Sequence, residues 1–80
     1  MFHYVYILRS CNIQSKTYVG YTTKLQTRLH AHNSGTSIHT AKYRPWRVET
    51  AVALRSKTKA LALEKYFKSS SGKAFASKHF

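Results

Sequence analysis

Arg28 and His32 stand four residues apart, and if their segment is helical they share with Leu25 and Leu29 an arc only about 100° wide. Both polar side chains then adjoin an apolar stripe. A guanidinium so placed is partly desolvated and wants an anion; in a chain this poor in carboxylates a phosphate is the natural candidate. The plainer alternative is that Arg28 snorkels along the stripe and His32 is a satisfied boundary residue. Glu64 also sits at a helical boundary, beside Ala60 and Leu61 and at the edge of the arc that holds Leu63 and Phe67. It can pair with Lys68 at i, i+4, worth about 0.3–0.5 kcal/mol on an exposed helix. It can equally hold a single Mg²⁺ or Mn²⁺ together with waters and the phosphate oxygens of a substrate, as hard cations are often held. Glu49, next to Arg47 in a basic surround, reads as a structural ion-pair partner.

The composition restricts what else these residues could do. Fourteen Lys and Arg face two carboxylates, both Glu, for a formal charge of +12. So lopsided a charge repels itself in the compact state and points to a polyanionic partner, nucleic acid first. A membrane surface fits less well, because no apolar run approaches the roughly twenty residues of a span and the basic residues are dispersed along the chain. Two carboxylates cannot build a two-metal phosphoryl-transfer site. One Cys and five scattered His give no zinc pattern, and His30 and His32 would point to nearly opposite sides of a helix. Gly20, Gly35 and Gly72 are isolated from one another, so no phosphate-cradling glycine loop is present. The single Cys11 and the absence of a secretory pattern in Met1–Leu8 lead us to expect a reducing, cytoplasmic setting.

The elements that must position these side chains fit one small domain, residues 1–80, with eleven aromatics for its core. Tyr4–Leu8 is apolar on both alternating faces and reads as a central strand covered on both sides. Thr17–Thr22 returns as its hairpin partner, with Gly20 marking either a bulge or a close approach of another group. Thr23 with Gln26 suggests a capping box for a helix over Lys24–Asn33 that stops at Gly35. Thr36–Arg44 has no periodicity. A third strand follows Pro45 over Trp46–Leu54, with Val48, Thr50, Val52 and Leu54 forming its more apolar face. A second helix, capped by Ser56 or Thr58, is expected to run through Phe67 and end near Ser71–Gly72. The order β-β-α-β-α indicates a small α/β sandwich on a three-stranded, mostly antiparallel sheet.

Taken in order, Tyr4-Val5-Tyr6-Ile7-Leu8, Tyr18-Val19-Gly20, the run Leu25-x-x-Arg28-Leu29-x-x-His32-Asn33-x-Gly35, Pro45-Trp46 and Ala60-x-x-x-Glu64 resemble the GIY-YIG nuclease family, in particular its small stand-alone members. The resemblance spans the whole chain. It implies the same sandwich fold and metal-dependent hydrolysis of a nucleic-acid phosphodiester. It maps the two motif tyrosines of the family onto Tyr6 and Tyr18, its arginine onto Arg28 and its metal-binding glutamate onto Glu64, with His32 beside them. Tyr4, Tyr21, Tyr43 and Tyr66 keep the ordinary packing reading of strand and helix aromatics. A phenol near a metal-bound water could relay a proton if Arg28 and the metal lower its pKa from about 10. No Asn follows Glu64, unlike in several members, which leaves one phosphate or water contact for Lys73 or Asn33.

Three functions stay open at this level. The first is a metal-dependent endonuclease acting on DNA by structure rather than sequence. The others are a nucleic-acid-binding module on the same scaffold and a subunit whose basic face docks an acidic protein. Lys24, Arg28, Asn33, Lys42, Arg44, Lys57, Lys68 and Lys73 are the expected nucleic-acid contacts, most of them to the backbone, so selectivity would rest on nucleic-acid shape or a partner protein. We expect a monomer. Binding to DNA should be weak and fall steeply with salt; a titration in which affinity is equal at low and moderate NaCl would contradict the polyanion reading.

Overall fold

A computed structural model describes residues 1–80. Strands β1 (His3–Ser10), β2 (Thr17–Thr22) and β3 (Trp46–Leu54) form an antiparallel sheet in the order β2-β1-β3. Helices α1 (Leu25–Ser34) and the four-residue α2 (Ile38–Ala41) lie between β2 and β3, and α3 (Lys57–Lys68) and α4 (Ser70–His79) follow β3. β1 is central, as its two-sided apolar pattern requires. None of the helices is long and apolar enough to cross a membrane.

Each face of the sheet carries its own core. On one side Val5 and Ile7 meet Ala60 and Phe67 of α3, with Leu63 and Ala76 packed against them. On the other, Tyr6, Leu8 and Trp46 are covered by Leu25 and Leu29 of α1 together with Tyr18 and Tyr43. β3 serves both. Ile7 pairs with Thr50 but Leu8 pairs with Val48, so Glu49 is an extra residue in a β-bulge. The bulge redirects the alternation expected to make one apolar face: Val48 joins the Tyr6 core and Leu54 the Val5 core.

The ends of the helices depart from expectation in three places. α1 is not opened by a capping box; Lys24 is its cap residue with no side-chain bond, and Thr22 Oγ1 accepts the Lys24 N–H at 3.0 Å instead. Its other end does stop at Gly35, which has φ 83°. The segment without periodicity contains α2, too short to show a period. The second long helix does not run to Gly72. It ends at Lys68, where Ser69 in extended conformation closes α3 and caps α4, its Oγ accepting the Gly72 N–H at 3.1 Å. Gly72 lies inside α4, where a Cβ would overlap the Tyr66 carbonyl, so glycine is what lets the two helices meet at this elbow.

Asn33 is given a different task from the phosphate contact expected of it. Its Nδ2 donates to the Trp46 carbonyl at 3.0 Å and its Oδ1 accepts the Trp46 N–H at 2.5 Å, so both ends of the amide clamp α1 to the start of β3. Asn33→Ala should lower the unfolding free energy by about 1–3 kcal/mol, read as a shifted urea midpoint.

Candidate active site

The α1 face of the sheet gathers Tyr6, Tyr18, Arg28 and His32, four of the five residues singled out for chemistry. Tyr6 projects from the middle of β1 opposite Gly20 of β2, and a Cβ on Gly20 would overlap Oη and Cζ of the phenol. The close approach left open for Gly20 is therefore that of Tyr6. The Tyr6 hydroxyl lies 3.1 Å from His32 Nε2, and His32 Nδ1 lies 2.7 Å from Thr40 Oγ1. Thr40 Oγ1 is 3.5 Å from the Ser37 carbonyl, to which it donates, so its lone pair receives the His32 Nδ1–H. That assignment from the network leaves Nε2 as the acceptor of the Tyr6 O–H. The Thr40 carbonyl in turn accepts the Trp46 indole N–H at 2.8 Å. Tyr18 closes the group, its ring 4.9 Å from that of His32 and 6.4 Å from that of Tyr6.

Burial separates the roles of these residues. Tyr6, His32 and Thr40 are at most 1% exposed, and no buried side-chain nitrogen or oxygen lacks a partner. Arg28 is half-buried against the hydroxyls of Tyr6 and Tyr18, which makes it the member that opens toward an incoming anion. Its contact with Tyr6 holds the guanidinium even more firmly protonated than usual. His32 is pushed below the ordinary imidazole pKa, by burial first and by the Arg28 charge second, and so is held neutral. Tyr6 is pushed up, because burial outweighs the lowering by Arg28. Arg28 by itself therefore does not ease the phenol toward ionisation: Tyr6 is a hydrogen-bond donor, with its proton aimed at a neutral imidazole.

Glu64 belongs to α3, in the other layer, yet its carboxylate is near enough that its charge helps raise the Tyr6 pKa. It is half-buried, and Oε2 is 3.2 Å from Lys68 Nζ, the i, i+4 pair that the spacing allowed. No three of His, Cys, Asp or Glu gather anywhere, so the donors for an all-protein cage are missing. One hard carboxylate fits Mg²⁺ or Mn²⁺, ions that complete their shells with water and phosphate oxygens.

The remaining expected contacts are scattered. Lys24 is exposed beside a shallow cleft with Tyr4 and Thr27, and Lys57 is exposed at the start of α3. Lys42 sits 5.7 Å over the Tyr43 ring, and Arg44 packs against Gly35. Lys73 faces the opposite side of the sheet, in a cavity of about 180 Å³ shared with Arg9 and Glu49. Glu49 is ion-paired there with Arg9, which holds its carboxyl below the usual range. Thr40 escaped the sequence reading because nothing in an aperiodic polar segment marks one threonine as a histidine's partner.

Comparison with known proteins turns this geometry into a kinship. The GIY-YIG catalytic domain matches residues 2–78. This chain belongs to the GIY-YIG family. A UPF0213 protein of Bacillus licheniformis is 36% identical over 72 residues, covering 89% of this chain and 72% of that one. One of Lactococcus lactis subsp. cremoris is 39% identical over 67 residues, covering 82% of this chain and 66% of its relative. The chain thus spans about two thirds to three quarters of the length of these relatives. The solution NMR structure of a UPF0213 protein from Bacillus halodurans matches with a TM-score of 0.59 at 33% identity, over 98% of this chain and 84% of the other. The GIY-YIG fold of a three-stranded antiparallel sheet with flanking helices is therefore shared with a solved relative.

Because the folded state keeps His32 neutral while the unfolded chain protonates it near pH 6.5, the unfolded state binds the extra proton as pH falls. The contribution of His32 to stability is whole above that value and is lost progressively below it. His32→Gln should flatten the fall of the urea midpoint between about pH 6.5 and 5 relative to wild type; parallel curves would show that His32 titrates alike in both states.

Proposed function

We propose that this GIY-YIG protein is a metal-dependent endonuclease that hydrolyses nucleic-acid phosphodiesters, DNA above all, by structure rather than sequence, and that it works as a monomer of one domain in the cytoplasm. What carries the reading is the line Tyr6–His32–Thr40 with Arg28 against the phenol: a proton path ending beside a cation that can meet a phosphate. A bound Mg²⁺ or Mn²⁺, held on the protein side by Glu64, would supply Lewis-acid stabilisation of the leaving oxygen.

The residues of the chain divide the rest of the work. Tyr6 Oη takes a proton from the attacking water as its own hydroxyl proton passes to His32 Nε2, so no phenolate has to form in advance. Thr40 fixes the ring so that Nε2, not Nδ1, presents the lone pair. His32 Nε2 is occupied by the Tyr6 hydroxyl, so His32 acts through Tyr6 rather than on the substrate. Its depressed basicity keeps it ready to accept at neutral pH and quick to return the proton afterwards. Arg28 receives the charge that builds on the phosphoryl oxygens. Lys24, Lys42, Arg44, Lys57, Lys68 and Lys73 supply sequence-independent attraction, and a partner protein is the available source of further selectivity.

A second reading has one observation in its favour. The Glu64–Lys68 ion pair is what an ordinary helix surface would show, and it fits a binding module that does not cut. Gel-resolved cleavage of single-stranded, duplex, flap and branched DNA and RNA with Mg²⁺ or Mn²⁺ separates the two. Arg28→Ala should cost about 10²–10³ in rate and Tyr6→Phe about 10²–10⁴, with folding kept and DNA still bound. Glu64→Ala should abolish the metal response. Activity should decline on acidification below the usual imidazole range, as His32 takes up a proton. Undiminished metal-dependent cutting by Glu64→Ala would exclude the scheme, and binding without cutting on every substrate would leave the binding module.

A further inference from the structure

The outer surface of the α3–α4 elbow shows aromatic rings that the core does not use. Tyr66 and Phe75 are each 41% exposed, which departs from the packing role expected of Tyr66. Phe75 backs onto the buried Phe67, with ring centres 6.5 Å apart and planes inclined by 20°. Tyr66 meets Phe75 edge-on at 6.2 Å, and the His79 ring lies 4.5 Å from Phe75. The rings are held by one another and by Phe67, so their free surface is presented with little side-chain freedom left to lose.

The charge around them has one sign. At about 100° per residue, Lys59 lies on the Tyr66 side of α3 and Lys78 one turn beyond Phe75 on α4. α4 contains no carboxylate, and Glu64, the only one in α3, is about 160° around the helix from Tyr66. A protein partner with a basic face would find no anion to pair with here. A partner offering flat apolar rings joined by negative charges matches both features.

We propose that Tyr66 and Phe75, flanked by Lys59 and Lys78, form a stacking platform for unpaired bases of single-stranded nucleic acid. Bases in a duplex hide their faces, whereas unpaired bases can lie on tyrosine and phenylalanine rings while lysines follow the backbone. The platform names a feature of the substrate that the proposed function leaves open: a single-stranded arm or gap. It rests on the nucleic-acid part of that reading and not on cleavage.

The test compares fluorescence anisotropy of a labelled thymidine 20-mer and a 20-base-pair duplex at moderate salt. Tyr66→Leu, Phe75→Leu and their combination keep apolar bulk over Phe67 while removing the ring faces; circular dichroism checks the fold. Affinity for the single strand should fall about ten-fold for each ring lost, with duplex binding within about two-fold of wild type. Lys59→Gln with Lys78→Gln should reduce the salt slope on the single strand by about 1–2. Equal losses on both ligands, or no loss on either, would overturn the platform while leaving the proposed nuclease intact. So would wild-type self-association in sedimentation velocity that the Leu variants abolish, since the rings would then meet a second copy. Wild type that binds neither ligand would remove the platform and the nucleic-acid reading together.

Discussion

The phenol of Tyr6 has to be buried in the middle of the central strand and still find a partner for its hydroxyl. An unpaired hydroxyl there would cost about 1–3 kcal/mol, a large share of what a small domain has to spare. The solution recruits most of the fold. Gly20 on β2 leaves room for the ring, α1 brings His32 Nε2 to the oxygen, α2 brings Thr40 to the other side of the imidazole, and the Trp46 indole at the start of β3 ties down the Thr40 carbonyl. β1, β2, α1, α2 and β3 are thereby oriented around one hydrogen-bonded line. The same line gives a proton somewhere to go, so structural satisfaction and chemical competence share the same atoms.

The electrostatics follow from that burial. Desolvation holds His32 neutral and Tyr6 protonated, while Arg28, at the half-open rim, stays charged. A donor, an acceptor and a fixed cation are thus kept in different states by depth and by their contacts with one another. With almost no carboxylates in the chain, little competes with a phosphate for the cation, and Glu64 remains the one carboxylate whose charge reaches the phenol.

The parts legible in the sequence were those written in short-range patterns. The two-sided apolar run of β1, the hairpin spacing, the Gly35 stop and the Ser56 cap all appear as predicted. Tyr6, Tyr18, Arg28 and His32, which the family resemblance singled out, also lie together in the fold. What could not be read depends on partners distant along the chain. The identity of the His32 partner required knowing that α2 folds back onto α1. The amide of Asn33 looked available until Trp46 was seen to occupy both its ends. The end of α3 was misplaced because Gly72 reads locally as a stop, whereas its neighbour across the elbow, the Tyr66 carbonyl, makes it the residue that admits a second helix.

The bulge at Glu49 makes β3 a strand of two halves. Residues on its Trp46 side belong to the core under α1, and those on its Leu54 side to the core under α3. Changing the side chain at 49 alters one surface ion pair, and even losing the residue would leave Val48 opposite Leu8 and Thr50 opposite Ile7, with both halves facing as they do now; losing a paired residue elsewhere in the strand would turn one half inside out. Position 49 is therefore the place in β3 where residue count can change without reversing a face, while at the paired positions on either side relatives should differ by substitution far more readily than by insertion or deletion.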